Sequence, residues 1–154
     1  MLAVVAVVAA LLPVAEPAAP AAAKGDAFIT AQTAGILTIE GGECFSDPFH
    51  SPSAGQVIVI YTPCDKPVDN QAYGFLHADD GRWDRAVLAE FAWTGCARGF
   101  AHYWPGDAAG AGTALDFYPI LPTEETWADG DRDIMCVVYN RVGRLPGSML
   151  PAAR

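Results

Sequence analysis

Four cysteines, Cys44, Cys64, Cys96 and Cys136, constrain this chain more than any other feature of its 154-residue sequence. An even number of cysteines in an exported domain indicates disulfides, and four cysteines allow three pairings. We favour Cys44–Cys64, which would join two neighbouring N-terminal strands, and Cys96–Cys136, which would join a helix to a late strand. Zinc binding is disfavoured because no Cys-X-X-Cys pair is present, and a catalytic cysteine would need an unpaired thiol beside a histidine.

Residues 1–23 have the composition of a targeting segment. Leu2–Leu12 is an unbroken apolar run, shorter than the roughly 20 residues that span a membrane. Ala21–Ala23 is a plausible cleavage site. A signal peptide normally has a Lys or Arg before its apolar run, and this chain has none there. We therefore expect either a signal peptide or an N-terminal membrane anchor with a Pro/Ala linker, followed by an extracytoplasmic domain over residues 24–154, membrane-anchored or secreted.

The chain is acidic, with 18 Asp and Glu residues against 9 Lys and Arg residues, a formal net charge of −9. The basic residues are scattered singly and form no patch in the sequence. An acidic surface repels phosphate, so we expect neither nucleic acid nor anionic lipid as a partner. We expect membrane contact only through the N-terminal segment, if that segment is not cleaved.

Apolar patterning predicts several strands around one helix. Strands are predicted at Ile36–Glu40, Gln56–Thr62, Gln71–Ala78, Leu115–Leu121 and Asp133–Tyr139, with a short terminal strand at 144–150. We expect Gln56–Thr62 to be a central strand paired with Gln71–Ala78, and Pro119 to place its strand at an edge or a bulge. These elements, joined mostly by short turns, predict an α+β fold: a small antiparallel sheet packed on one main helix, with two disulfides.

The helix is predicted to begin after Asp84, because the carboxylate can accept the free amide hydrogens of a first helical turn. Its buried stripe has near-helical spacing and consists of Leu88, Ala92, Cys96, Phe100 and Tyr103. We expect the helix to end at residues 105–106, a Pro-Gly pair.

Three aspartates alternate in the stretch "WADGDRDIMC", residues 127–136, and they raise the question of a calcium loop or of catalytic carboxylates. An EF-type loop that began at Asp129 would need Gly at its sixth position and Glu at its twelfth. Those positions hold Ile134 and Asn140. We therefore predict no metal site here, and paired carboxylates for acid/base work would need a cleft that the sequence does not reveal.

The same stretch is instead typical of a structural turn that leads into a strand. Thr123 can cap one helical turn, after which Trp127 should enter the core. Gly130 suits the turn, and Asp131 can accept backbone amide hydrogens beyond it. Arg132 can pair with a carboxylate or stack on an aromatic face.

No catalytic or cofactor-binding motif is recognisable in the sequence. A nucleophile elbow, a phosphate loop, a His-Glu-X-X-His motif and a dinucleotide fingerprint are all absent. The three histidines, His50, His77 and His102, are far apart in sequence. We therefore assign no catalytic, cofactor-binding or metal-binding residue, and expect no cofactor.

Several blocks resemble the septum formation domain found in exported or membrane-anchored proteins of high-GC Gram-positive (actinobacterial) bacteria. They are "GGECF" (41–45), "TPCDKPVD" (62–69), the helix with its central cysteine, "PTEETWADGDRDIMC" (122–136) and "GRLPGSM" (143–149). Two positions depart from the family pattern: Glu43 stands in place of aspartate, and Val68 stands where histidine often precedes Asp69. The second block is therefore interpreted as a proline turn that holds Cys64.

The resemblance implies a non-enzymatic cell-envelope domain that is associated with septum formation and cell division. Such a domain would act by binding an envelope or division protein. The alternatives are a secreted enzyme that acts on the cell wall, and a secreted binding or inhibitor module unrelated to division.

The even cysteine count predicts that the mature protein has no free thiol. Alkylation under denaturing, non-reducing conditions should add no mass, whereas alkylation after reduction should label all four cysteines. Two or more labelled cysteines without reduction would contradict a domain cross-linked by two disulfides.

Overall fold

The computed structural model describes residues 23–110 and 114–151. A five-stranded antiparallel sheet has the strand order β4-β1-β5-β7-β6, and β2 and β3 form a separate two-stranded sheet. The strands are β1 (Cys44–Phe45), β2 (Phe49–Ser51), β3 (Gln56–Ile58), β4 (Tyr61–Thr62), β5 (Asn70–His77), β6 (Leu115–Ile120) and β7 (Asp133–Asn140). The helices are α1 (Arg85–Tyr103), α2 (Pro105–Ala108) and α3 (Glu124–Ala128), and Ile36–Thr38 is a 3₁₀ turn. The expected α+β class is confirmed.

Both favoured disulfides are present. Cys44–Cys64 joins β1 to the chain just after β4, with a Cα–Cα distance of 5.4 Å. Cys96–Cys136 joins α1 to β7, with a Cα–Cα distance of 5.3 Å. In the chain-entropy model each stabilises the fold by roughly 3–4 kcal/mol, because it restricts the unfolded chain. The second disulfide fixes the main helix to the centre of the sheet.

Strand β7 is buried on both faces. Ile134, Cys136 and Val138 belong to the core on the helix side, whereas the alternate residues Met135, Val137 and Tyr139 belong to a second core on the opposite face. Successive side chains of a strand point to opposite faces, so a strand covered on both sides carries an unbroken apolar run.

Helix α1 covers the first face. The Asp84 carboxylate accepts hydrogen bonds from the Ala86 and Val87 amides, as predicted for its N-cap. The predicted stripe of Leu88, Ala92, Cys96 and Phe100 is buried. Tyr103, which was predicted to continue that stripe, lies in the last turn and is 39% exposed.

Residues 24–39, which follow the predicted leader and are called the N-terminal segment from here on, cover the second face of the sheet. Ile29, Ile36 and Ile39 are buried against the sheet. The strand predicted at Ile36–Glu40 is wrong, because the segment forms a 3₁₀ turn after Gly35, whose φ is 88°. The spacing of Ile36 and Ile39 places both on one side of that turn, where they cover the sheet instead of pairing with it.

The prediction of one central strand at Gln56–Thr62 is also wrong. The segment divides into β3, which pairs with β2, and β4, which pairs with β1 at the sheet edge. Strand β5 pairs with β1 and β7 instead. Of this apolar run only Val59 is buried; its amide donates to the Ala34 carbonyl.

The predicted terminal strand at 144–150 is reduced to one isolated bridge between Val68 and Leu145.

The two edges of the main sheet are β4 and β6. Strand β4 is followed directly by Pro63, and β6 contains Pro119, which confirms the predicted edge position. The Phe117 amide of β6 donates to the Asp116 carboxylate at 2.9 Å.

Within residues 23–110 and 114–151, no helix is long and apolar enough to cross a membrane. The predicted leader lies outside these ranges except for Ala23.

Replacing Gly35 by alanine should lower the free energy of unfolding by about 2–4 kcal/mol, because the positive φ would be strained and the new Cβ would overlap the Val59 carbonyl oxygen. Chemical denaturation monitored by tryptophan fluorescence would measure this. Gly143→Ala is the matched control, because its added Cβ meets no atom within 4 Å and it needs no positive φ. Equal stabilities for the two variants would contradict the role assigned to Gly35.

Candidate functional site

The segment 127–133 comprises the end of α3, the turn that follows it and the first residue of β7. The preceding helix begins with a capping box, in which Thr123 and Thr126 exchange side-chain and backbone hydrogen bonds. Trp127 is buried, and its indole Nε1 donates to the Gly81 carbonyl oxygen at 2.9 Å. Gly130 then adopts a φ of 98°, which glycine accommodates without strain and which turns the chain toward the strand. The segment therefore has a fixed path at the end of the sheet.

Arg132 makes both kinds of contact that the sequence predicted. Its guanidinium lies over the Trp127 ring, 3.8 Å from the centroid, and its Nε is 3.0 Å from an oxygen of Asp80. The same group donates to the carbonyl oxygens of Trp127, at 2.7 Å, and of Asp131, at 2.8 Å. A planar cation with several donors can satisfy these partners together, and the side chain thereby holds the turn against the loop before α1.

The Asp131 carboxylate has one engaged oxygen and one unengaged oxygen. Its Oδ1 accepts the Asp133 amide at 3.1 Å, as expected for a turn aspartate. Its Oδ2 is buried and has no hydrogen-bond partner among the described residues.

A groove lies beside the N-terminal half of α1, and we name it the Trp127 groove. It encloses about 280 Å³ and has an apolar floor that includes the buried residues Leu88 and Trp127. Val87 and Phe91 form its outer wall and are 63% and 41% exposed. The remaining lining residues are Ala78, Asp79, Gly81, Arg82 and Asp84.

A smaller pocket, named the Asp131 pocket, lies at the second face of the sheet and encloses about 110 Å³. Asp131 and Asp133 supply its carboxylates, and Leu37 and Phe75 supply exposed apolar side chains. Its deeper walls are Ala31, Ile36, Ile39, Ile120 and Met135. The turn 127–133 thus contributes residues to both concave surfaces.

The sequence prediction identified the turn but missed the groove walls. Val87 and Phe91 are four residues apart and stand beside the stripe that starts at Leu88, so they form a second apolar row on α1. A second row that the sheet does not bury is a recognisable signal for an exposed apolar face. The exposure of Leu37 could not be recognised in the same way, because its segment was predicted to be a strand and forms a 3₁₀ turn instead.

The three histidines lie on different elements, at β2, at the end of β5 and in α1. His77 Nδ1 is 2.8 Å from an Asp133 oxygen, and both side chains are exposed. Among residues 23–110 and 114–151, no group of three or more His, Cys, Asp or Glu side chains is placed to hold a metal ion.

Comparisons of this chain with protein-family models, with curated proteins and with solved structures found no match. The two disulfides suggest an oxidising, extracytoplasmic environment.

Replacing Arg132 by alanine should lower the free energy of unfolding by about 2–3 kcal/mol, because it removes the contact with Trp127 and the hydrogen bonds that the guanidinium donates to the Trp127 and Asp131 carbonyl oxygens. Thermal unfolding followed by circular dichroism would measure the change. Arg141→Ala is the control: its guanidinium is half-exposed and lies 3.8 Å from Asp116, an ion pair worth about 0–1 kcal/mol. A loss no larger at Arg132 than at Arg141 would show that the turn does not depend on this side chain.

Proposed function

We propose that this chain is an extracytoplasmic domain of the cell envelope that binds another protein and takes part in septum formation. The resemblance of residues 41–149 to septum formation domains supports the association with division. The disulfides support the compartment. The proposal assigns a binding role and no catalytic residue.

The Trp127 groove is the observation that carries the binding role. Binding sites are concave and mostly apolar, with a few polar groups at fixed positions. The groove combines a buried floor, at Leu88 and Trp127, with the exposed wall of Val87 and Phe91. Contiguous apolar surface of this kind loses its contact with water when an apolar side chain of a partner enters.

The polar groups at the groove rim have structural partners that fix the groove's shape. The Asp84 carboxylate is held by the first amides of α1, and the Gly81 carbonyl oxygen accepts the Trp127 indole. These groups would not have to reorganise when a ligand binds, and a rigid site loses less entropy on binding.

Charge indicates the chemistry of the partner. The rim carries the carboxylates of Asp79 and Asp84 against one guanidinium, that of Arg82, and the whole chain has a net charge of −9. Electrostatic complementarity favours a partner segment in which a basic residue accompanies the apolar side chain. We therefore propose a basic, apolar segment of an envelope or division protein as the occupant of the Trp127 groove.

Val87→Asp should abolish septal enrichment of an exported fluorescent fusion in dividing cells, with partner binding about tenfold weaker or worse, because a carboxylate would be desolvated against the incoming apolar side chain. The fold should survive, since an acid in the first turn of a helix is favourable.

Val142→Asp is the matched control. It makes the same substitution at an exposed valine, 71% accessible, that lies outside the groove, and its fusion should localise like the wild type. Uniform envelope fluorescence of the wild-type fusion would contradict the role in septum formation. Septal enrichment that survives Val87→Asp would contradict the groove as the binding site.

A further inference from the structure

A second cluster of polar groups is enclosed between the N-terminal segment and the second face of the sheet, and the Trp127 groove does not involve it. At its centre is the Lys24 side chain, which is only 9% exposed. Its Nζ lies 2.9 Å from Oδ1 of Asn70 and 2.5 Å from Oδ1 of Asp47. An amine, a carboxamide and a carboxylate are thus in mutual contact; the amine and the carboxamide are buried, whereas the Asp47 side chain is 44% exposed and borders solvent.

Aromatic rings surround the amine. Its Nζ lies 5.0 Å from the ring centroid of Phe28, 5.0 Å from that of Tyr139 and 6.0 Å from that of Tyr118. Desolvation by these neighbours lowers the pKa of Lys24, and its hydrogen bond and charge interaction with Asp47 oppose that shift. Burial therefore increases the share of the neutral amine, which is the nucleophilic form.

The carboxamide of Asn70 is completely buried and is held by its neighbours at both ends. Its Nδ2 donates to Oδ1 of Asp47 at 2.9 Å, the same oxygen that contacts the lysine. Its Oδ1 accepts the Tyr118 hydroxyl at 2.9 Å. The Asp47 carboxylate thus contacts both Nζ of Lys24 and Nδ2 of Asn70, and the Tyr118 hydroxyl donates to the carboxamide oxygen of Asn70.

We propose that Lys24 and Asn70 react with each other to form an intramolecular amide bond, with Asp47 as the proton carrier and Tyr118 as the oxyanion donor. The Nζ–Cγ bond forms and the Cγ–Nδ2 bond breaks. Overall, the neutral amine of Lys24 and the carboxamide of Asn70 become one secondary amide and one molecule of ammonia, which contains Nδ2 and the proton that Asp47 has passed on from Nζ. Nothing is oxidised or reduced, and no co-reactant is needed.

Asp47 and Tyr118 have positions that suit their steps. Asp47 accepts a proton from Nζ and passes it to the departing Nδ2, because its oxygen contacts both. Tyr118 stabilises the negative charge that develops on Oδ1. Burial raises the pKa of Tyr118 well above its ordinary value, so its hydroxyl keeps the proton that it must donate.

The other ionisable groups nearby are engaged elsewhere. Asp69 accepts the Asp47 amide with one oxygen and pairs with Arg144 through the other. The Tyr139 hydroxyl accepts the Lys24 backbone amide and donates to Asp116. These contacts position the cluster, and they leave Asp47 as the carboxylate that contacts both the amine and the carboxamide.

The test is the intact mass of the exported full-length chain after unfolding and reduction. Relative to the N-terminus established by tandem mass spectrometry, the wild type should lack the mass of one ammonia. Fragmentation should give a branched peptide that joins Lys24 to Asn70, and trypsin should not cleave after Lys24, because its side chain is acylated.

Lys24→Met and Asp47→Asn should each have the full mass for their sequence, the first for lack of the nucleophile and the second for lack of the proton carrier. Lys66→Met is the matched control. Lys66 is the other lysine of the chain and is exposed, so this variant should retain the ammonia deficit.

Three results would overturn the proposal. Full mass for the wild type would mean that the cluster is only a buried ion pair. Loss of one water would place the bond on Asp47 instead of Asn70. An ammonia deficit confined to a linear peptide at Asn70 would indicate a succinimide and no cross-link.

Discussion

Both faces of β7 are buried, and the rest of the domain is arranged to satisfy that requirement. Helix α1 and the Cys96–Cys136 disulfide cover one face. The other face presents Met135, Val137 and Tyr139, which need a cover of their own. The N-terminal segment provides it through Ile29, through Ile36 in the 3₁₀ turn and through Ile39 directly after that turn. The segment that completes the core also brings Lys24 against the sheet, so the packing requirement explains why an amine becomes buried among aromatic rings.

Much of the sheet and the whole of α1 could be predicted from the sequence, because their signals are local. Asp84 marks the start of α1, a helical stripe marks its buried side, and an unbroken apolar run marks β7. The proline at residue 119 indicated that strand β6 lies at an edge or a bulge. The Cys96–Cys136 disulfide joins α1 to β7, which were both predicted, whereas Cys44 and Cys64 follow the two segments whose strands were predicted wrongly.

The errors arose where apolar residues cover or flank the sheet without belonging to its centre. The run at Gln56–Thr62 is β-branched, yet it is divided between two sheets and mostly exposed. Strand propensity reflects packing context more than an intrinsic backbone preference, so composition alone could not separate an edge from a centre. The segment Ile36–Glu40 was mistaken for a strand for the same reason: its two buried isoleucines fit a strand or a covering turn equally well.

The two candidate regions differed in how far the sequence could predict them. Trp127 and Arg132 are near neighbours in the chain, and the sequence predicted a carboxylate or an aromatic face as the contact of Arg132 without identifying Trp127 as that face. The Trp127 groove required the orientation of α1 relative to that turn. The Lys24 cluster draws on residues from five separate segments, and no periodic pattern connects Lys24, Asp47 and Asn70. Such a cluster is visible only when long-range contacts are known.

The edges of the main sheet restrict how a partner can bind. Many domains capture an extended peptide as an added strand, which needs a row of free backbone donors and acceptors along an edge. Alternate residues of a strand present their amides to the same side. On β6 two of the outward positions are Phe117, whose amide is taken by the Asp116 carboxylate, and Pro119, which has no amide hydrogen. Strand β4 is only two residues long and ends at a proline. The main sheet therefore offers little edge for an added strand, which agrees with the proposal that a partner is recognised through side chains in the Trp127 groove, by shape and charge more than by backbone pairing.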